Sequence, residues 1–409
     1  MHDSPPLHTA SQFHRPQALP SLHVLAIGGS HQLAHILPVA FELERRGTLE
    51  IAVFVPNRSD AAEVVTLARE LRRPLPRIVI MNLPKAIERA VPRPLHKLAR
   101  LITFAGKIRS GTAILCAERT STLLKRLPGN CPGLVHIPHG AGDGAVGFEQ
   151  RFRLFDMVIV AGSKDRERLI STGVVRADRC EVAGPVKVAA MIGARQERPR
   201  LFANDRPTLL YNPHFKRELS SADRFMRRLV DGVKSDGRYN LIVAPHIRMA
   251  QNWSSARRAE CESLAIPGKI IVDLGSRRSI DMTYTLAADL YIGDVSSQVY
   301  EFLVRPRPCL FVDAHSADWM RNADYAMWRL GEVVSCDCDI AASIDRAFST
   351  HARFRSLQMA RVREALQGLA WDDAGDVVLG KADPIATAAN IAETFTRRRF
   401  RPVPVAAFA

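Results

Sequence analysis

The sequence predicts an α/β protein built as two Rossmann-like halves with a cleft between them. Three observations predict it. Apolar runs of strand length alternate with helical patterns along the chain, and βαβα order implies mostly parallel sheets covered by helices on both faces. The alternation breaks once, near 190–205, where Arg195-Gln196-Glu197-Arg198-Pro199-Arg200 is polar and interrupted by proline. A chain of 409 residues is also too long for one ordinary core. The expected divisions are a loose tail over 1–20, a first half over 21–190, a second half over 206–383, and a C-terminal helix with a basic tail over 384–409.

In the first half, His23–Ile27 reads as a strand. Gly28-Gly29-Ser30-His31 follows, then a helical pattern through Leu37, Ala40 and Leu43 that stops at Gly47. Ile51–Val55 is the next strand. The Gly-rich first turn suits a Rossmann unit but lacks the full dinucleotide fingerprint, so it does not indicate a nicotinamide cofactor. Gly28 and Gly29 either line an acceptor site or only make a tight turn. Ile78–Met81 is a strand and Leu95–Ser110 a basic helical region. Leu134–Ile137 is a strand entering the loop Pro138-His139-Gly140-Ala141-Gly142-Asp143-Gly144. Met157–Val160 and Glu181–Ala183 complete the series, the latter running into Gly184-Pro185.

The second half restarts the alternation. Thr208–Tyr211 is a strand followed by Asn212-Pro213-His214-Phe215-Lys216, and a helix runs over Ala222–Lys234. Leu241–Ala244 ends in Pro245-His246-Ile247-Arg248. Ile270–Asp273 is a strand and Ser279–Ala288 a helix. Leu290–Ile292 is a buried strand and Gly293-Asp294 a turn. Val295, Val299, Phe302 and Leu303 then recur at helical spacing until Arg305-Pro306-Arg307-Pro308 stops the helix before the strand Cys309–Val312. The last helical segment, Pro384–Arg397, is placed to cross back to the first half.

Ligands of open parallel sheets bind beyond the strand C-termini. The His139 loop and the Ser296-Ser297 turn both occupy such positions. A helix opening on two serines offers hydroxyls, unpaired N–H groups and a positive dipole end, all suited to a phosphate. The same serines can equally act as helix caps.

Composition narrows the class. Hydrophobic residues are 47% and charged residues 24%, which excludes a disordered chain. No apolar run of about 18 residues is present, and no signal-peptide h-region. The seven cysteines are scattered, and Cys336-Asp337-Cys338 has neither zinc-ribbon nor redox-motif spacing. A reduced, cytoplasmic protein without a metal site is expected. The net charge of +15 points to anionic partners. The cluster Arg397-Arg398-Arg399-Phe400-Arg401 would attract anionic lipid beside a membrane.

Five segments, in order, resemble the CDP-glycerol glycerophosphotransferase family, the teichoic-acid polymerase type. His139-Gly140 resembles the family's His-Gly after a strand of the acceptor half. Tyr211-Asn212-Pro213-His214-Phe215-Lys216 resembles its Tyr-Ala-Pro-Thr-Trp-Arg segment, and Pro245-His246 its Lys-Pro-His-Pro segment. Asp294-Val295-Ser296-Ser297 with Glu301 resembles its Asp-Tyr-Ser-Ser segment with a following carboxylate. Asp372-Asp373 and Gly380-Lys381-Ala382 resemble its Asp-Gly-Lys-Ala segment. The chain departs from the pattern at His214-Phe215-Lys216, Val295 and Ile247, which leaves the donor's identity open.

The resemblance implies the GT-B fold, two Rossmann-like domains facing across a cleft. It implies transfer of glycerophosphate from a CDP-activated donor to a hydroxyl of a glycan, polymer or lipid-linked acceptor at the inner face of a membrane. His139 would take the acceptor proton, and His246 would bind a phosphate or assist the leaving group. Asp294, Ser296, Ser297, Glu301, Lys216 and Arg217 would hold the donor, and Gly28, Gly29 and Gly140 would border the acceptor. No cofactor is implied beyond the nucleotide-activated donor itself.

Three other classes stay open. A nucleotide-sugar glycosyltransferase would use the same fold and phosphate site. UDP-sugar 2-epimerases are built similarly, and Gly184-Pro185-Val186-Lys187 is similar to their inter-domain turn, but their catalytic carboxylate set is not found. A non-catalytic polyanion-binding scaffold would release no nucleotide and would lose affinity steeply with salt.

Overall fold

The computed structural model describes residues 18–144, 148–195, 197–251, 253–372, 377–380 and 382–401. Most of the expected tail, together with Gln196, Asp373 and Lys381 of the segments above, lies outside the described residues. Two parallel sheets dominate. The first contains β1 (Ser21–Leu25), β2 (Glu50–Val55), β3 (Arg77–Ile80), β4 (Ala113–Cys116), β5 (Gly133–His136), β6 (Met157–Val160) and β7 (Cys180–Val182). Its seven strands lie in the order β3-β2-β1-β4-β5-β6-β7.

The second sheet contains β8 (Thr208–Asn212), β9 (Asn240–Val243), β10 (Ile270–Val272), β11 (Leu290–Gly293), β12 (Cys309–Asp313) and β13 (Glu332–Ser335). Its six strands lie in the order β10-β9-β8-β11-β12-β13. A hairpin of β14 (Leu369–Trp371) and β15 (Val377–Leu379) pairs antiparallel. The central strands are buried on both faces: Val24 pairs with Val53 and Leu115, and all three are sealed from solvent. Such strands need apolar residues at consecutive positions, which is why they are legible as runs and not as alternations.

The helix Ser30–Arg46 turns Leu33, Ile36, Leu37, Ala40 and Phe41 onto the first sheet. It packs against Val186–Gly193 and against the C-terminal helix Pro384–Arg399. Arg46 reinforces the latter contact, reaching Asn390 at 2.7 Å and Glu393 at 3.1 Å. The chain returns to the first half before Pro384. The helix Ala352–Ala365 already packs on Ser163–Ser171, and the Gln367 N–H donates to the Ala161 carbonyl at 2.9 Å. The approach is so close that a Cβ at Gly162 would sit 2.0 Å from the Glu364 carbonyl oxygen. Only Gln358, Val362 and Ala365 of that helix are buried, so its pattern gives little sign of which half it covers.

The expected helix Ser279–Ala288 is shorter, running over Thr283–Ala287. The Asp281 carboxylate accepts the Thr283 N–H at 2.9 Å, and Met282 is left-handed at φ 66°. This local side-chain bond competes with helix and delays its start to Thr283. Among the described residues, no helix is long and apolar enough to cross a membrane.

Candidate functional site

Because all strands of a parallel sheet end on one edge, the loops after β1, β5, β8, β9 and β11 meet. They line a cleft of about 480 Å³ between the halves, within the usual size of a small-molecule site. His31 follows β1, His139 follows β5, His214 follows β8, His246 follows β9, and Ser296 and Ser297 follow β11; all six face this cleft.

The four histidines form a row. Ring centroids of His139 and His31 are 5.6 Å apart, those of His31 and His246 6.4 Å, and those of His246 and His214 6.3 Å. Burial is the main cause that lowers each pKa, and neighbouring rings or Arg248 add to it. His31 is brought down to about 4, His246 to about 3 and His214 to about 4. Burial also lowers His139, opposed by Glu118 and by the Ala117 carbonyl. All four rings are therefore neutral at pH 7. His139 Nδ1 lies 3.3 Å from the Ala117 oxygen. A carbonyl only accepts, so this contact needs the proton on Nδ1 and leaves Nε2 as the acceptor.

Positive charge surrounds the row. Lys216 and Arg248 line the cleft, Arg248 with its guanidinium 4.5 Å from the Phe215 ring centroid, and Arg119 joins them although it is paired with Glu149 at 2.6 Å. The carboxylate in the lining, Asp324, is already held by Arg168 at 2.7 Å. The balance favours an anion.

The serine turn divides its labour. Ser296 Oγ donates to Asn212 Oδ1 at 3.2 Å and accepts the Gln298 N–H at 3.3 Å, so it braces and caps. Ser297 Oγ meets no partner among the described residues and faces the opposite half. A Cβ at Gly140, whose φ is +103°, would lie 2.6 Å from it. Glycine is thus required where the His139 loop presses on the serine turn. The helix behind the serines, Gln298–Phe302, has five residues. Its Val299 and Tyr300 N–H groups donate to the Ser296 and Ser297 carbonyls at 3.3 and 3.1 Å. The expected phosphate cradle of free helix N–H groups is therefore largely engaged already, and Ser297 Oγ is the group left to offer.

Other candidates sit elsewhere than expected. Asp294 is fully buried and points inward; its Oδ2 accepts the N–H groups of His214 at 2.9 Å and Ser221 at 3.0 Å. Burial pushes its pKa up to about 6, against those donors. It ties the His214–Lys216 loop to the serine turn and does not reach the cleft. Glu301 is likewise withdrawn: Lys187 Nζ lies 2.7 and 2.8 Å from its two oxygens, and both side chains are buried. Arg217 is 91% exposed and lies outside the lining, 3.7 Å from Asp223. Gly28 packs against its own helix through Gln32, and Gly29 adopts φ +97° just before that helix. Neither glycine lines the cleft; His31 is the residue of that turn which does.

The His139 loop is pinned through Asp143, which is 2% exposed. Asp143 accepts the Tyr300 hydroxyl at 2.6 Å from the second half. Lys164 of the first half and Arg361 of the returning helix both reach it at 3.0 Å. His31, Arg119, Phe215 and Arg248 are among the cleft residues that motif reading missed. Their common signal is position, three to six residues past a strand's C-terminal end. Among the described residues, no group of three or more His, Cys, Asp or Glu is placed to hold a metal ion.

No protein-family model matches the chain, and no curated protein matches it by sequence. Solved structures do. A candidate UDP-N-acetylglucosamine 2-epimerase from Listeria monocytogenes superimposes with TM-score 0.63 at 11% identity, over 94% of this chain and 99% of that one. The UDP-GlcNAc 2-epimerase of Neisseria meningitidis bound to UDP-GlcNAc gives 0.58 at 11%, over 92% and 100%. The wall teichoic acid polymerase TagF gives 0.58 at 10%, over 93% and 90%. At such identities the likeness is one of fold: two Rossmann-like domains in the GT-B arrangement.

Proposed function

We propose that this GT-B chain is a transferase that uses a nucleotide-activated donor, moving glycerophosphate or a related group from a CDP-linked donor to an acceptor hydroxyl. One observation carries the reading. A neutral His139 with its Nε2 free faces Lys216, Arg248 and the unpartnered Ser297 hydroxyl across a single cleft. In the reaction, the acceptor oxygen forms a bond to the phosphorus that carries glycerol. The bond from that phosphorus to the oxygen of CMP breaks, CMP leaves, and the acceptor proton passes to His139 Nε2. Phosphoryl chemistry of this kind depends mostly on positioning and on cations facing the developing charge. The resemblance of the His139, His246 and Ser296-Ser297 segments, and the shared fold with TagF, support the same reading.

A nucleotide-sugar donor is the second reading, favoured by the likeness to structures that bind UDP-GlcNAc. The test is nucleotide release from CDP-glycerol and from a panel of UDP-sugars, with glycan and lipid-linked acceptors. CMP release supports glycerophosphate transfer and UDP release a glycosyltransferase. Failure of every donor to yield a nucleotide would overturn the transferase reading.

Donor binding also has a residue-level consequence. Ser297→Ala is expected to weaken CDP binding about 10-fold or more, the value of a hydrogen bond to a charged group. Stability should hold, because Ser297 makes no cap bond. Ser296→Ala should instead cost about 1 kcal/mol of stability, as a lost cap does. Calorimetric titration with CDP and thermal unfolding separate the two; unchanged CDP affinity in Ser297→Ala would remove that hydroxyl from the donor site.

A further inference from the structure

The connection from β3 to β4 carries an uncovered surface. Its helices Lys85–Ala90 and His96–Thr103 are joined by the turn Arg93–Leu95. Lys85–Ala90 buries none of its six residues, and the turn buries none either. His96–Thr103 buries Leu101 alone. Short helices owe their stability mainly to a packed apolar face, so these present a face that lacks its cover. The backbone is nevertheless fixed. The Val91 N–H donates to the Ile87 carbonyl at 2.9 Å and the Leu95 N–H to the Pro92 carbonyl at 2.8 Å, while His96 Nε2 lies 2.8 Å from the Val91 oxygen.

The surface combines apolar and cationic side chains. Leu95, Leu98 and Ile102 follow one another at three- and four-residue intervals and so share one side of the helix. Leu95 is 48% exposed and Ile102 52%. Lys85, Arg89 and Arg93 recur every four residues; all three are exposed and meet no acceptor among the described residues. Two further cations are already engaged. Lys97 pairs with Glu118 at 3.1 Å, and Arg100 donates to the Met81 carbonyl at 3.2 Å and lies near Asp60 of the helix Arg58–Glu70. The segment has one carboxylate of its own, Glu88, also exposed. A nucleic-acid backbone would use the cations but not Leu95 or Ile102, and Pro84 to Thr103 offers no Phe, Tyr or Trp to stack a base. An anionic bilayer uses both kinds of side chain.

Position separates this surface from the basic C-terminal cluster. Lys85–Ala90 follows the C-terminal end of β3, and Glu118, which holds Lys97, also accepts Gln32 Nε2 at 2.7 Å beside His31. The surface therefore reaches the edge on which the cleft opens. Arg397 and Arg399 stand at the other edge: Arg397 donates to the Thr48 carbonyl shortly before β2, and Arg399 lies 3.6 Å from Asp156 just before β6. We propose that the surface from Lys85 to Ile102 docks on an anionic lipid bilayer, with Lys85, Arg89 and Arg93 on the headgroups and Leu95, Leu98 and Ile102 entering the interface. The bilayer then borders the cleft edge of the half that carries His139. Docking does not depend on the activity proposed for the cleft.

The test is flotation of the full chain, at physiological salt, with vesicles of phosphatidylglycerol and phosphatidylcholine in equal parts. Binding is expected there and not to phosphatidylcholine alone. A cation near an anionic surface is worth about a factor of five, so Lys85→Ala, Arg89→Ala and Arg93→Ala together should weaken binding about 100-fold. Leu95→Gln with Ile102→Gln should weaken it about 10-fold, the value of the apolar area no longer inserted. These side chains are exposed, so thermal unfolding should stay nearly unchanged in both variants. Arg397→Ala, Arg398→Ala and Arg399→Ala remove as much charge from the other edge and should leave most of the binding. No flotation of the wild type would overturn the proposal and leave the surface to a protein or nucleic-acid partner. A loss that follows the C-terminal variant, with binding unmoved in the other two, would overturn it as well.

Discussion

His139→Ala is expected to lower turnover by about 10²–10⁴-fold, the usual contribution of a general base, while CDP affinity changes little. The ring belongs to the first half, whereas Ser297 and Lys216 stand on the second. His139 loses its acceptor Nε2 in the variant, but no cation of the cleft depends on it. The pH dependence follows from burial. The folded-state pKa of His139 lies below the ordinary 6.5, so its neutral form predominates from neutral pH down past that value. The acid limb of kcat/KM should therefore fall below pH 6.5 and vanish in the variant. The same shift contributes to stability with a definite sign. The unfolded ring binds its proton first, so stability declines as pH falls below 6.5 toward the folded pKa. His31→Ala, in a ring 5.6 Å away with no such carbonyl contact, is the comparison. Wild-type turnover in His139→Ala, measured with donor and acceptor that the wild type consumes, would sink the assignment.

Glu301→Ala is expected to destabilise the protein by about 3–5 kcal/mol, because it strands the Lys187 charge inside the interface between the halves. The side chains of Lys187 and Glu301 are 6% and 11% exposed, so solvent cannot take over as the partner. Lys187→Met combined with Glu301→Leu removes both charges and should recover most of the loss, since an apolar pair of similar volume is often as stable as a buried ion pair. Urea denaturation of the three variants is the measurement. Equal loss in the double variant would mean that packing, not the stranded charge, carries the effect. A Glu301→Ala protein as stable as wild type, but with a weakened donor complex, would return Glu301 to the donor-holding role that the resemblance implies.

The contrast between these residues shows what a sequence can reveal. Strands such as Ala113–Cys116 are apolar at every position because both faces are covered, and that pattern needs no knowledge of partners. His139, His246 and the two serines were legible for a related reason: strand C-termini of a parallel sheet share one edge. Glu301 was not, because its partner lies 114 residues earlier in the chain. Asp294 has the same difficulty. Its motif marks it as special, but only the fold shows its oxygen turned toward the backbone of His214 and Ser221. His31 follows two glycines that draw attention to themselves, although the next turn of chain is what reaches the cleft.

The return of the chain to the first half also sets an order of events during synthesis. The C-terminal helix buries Ala388, Ala389 and Ala392 against the layer that includes Ser30–Arg46 and Val186–Gly193. Those earlier segments leave the ribosome long before it. At about 5–20 residues per second, the apolar groove between them waits about 10–40 seconds for its cover. The second sheet needs no such wait, since its strands run without interruption from Thr208 to Ser335. The first half to be made is thus the last to be finished, and a nascent chain spends that interval with its groove open to chaperones.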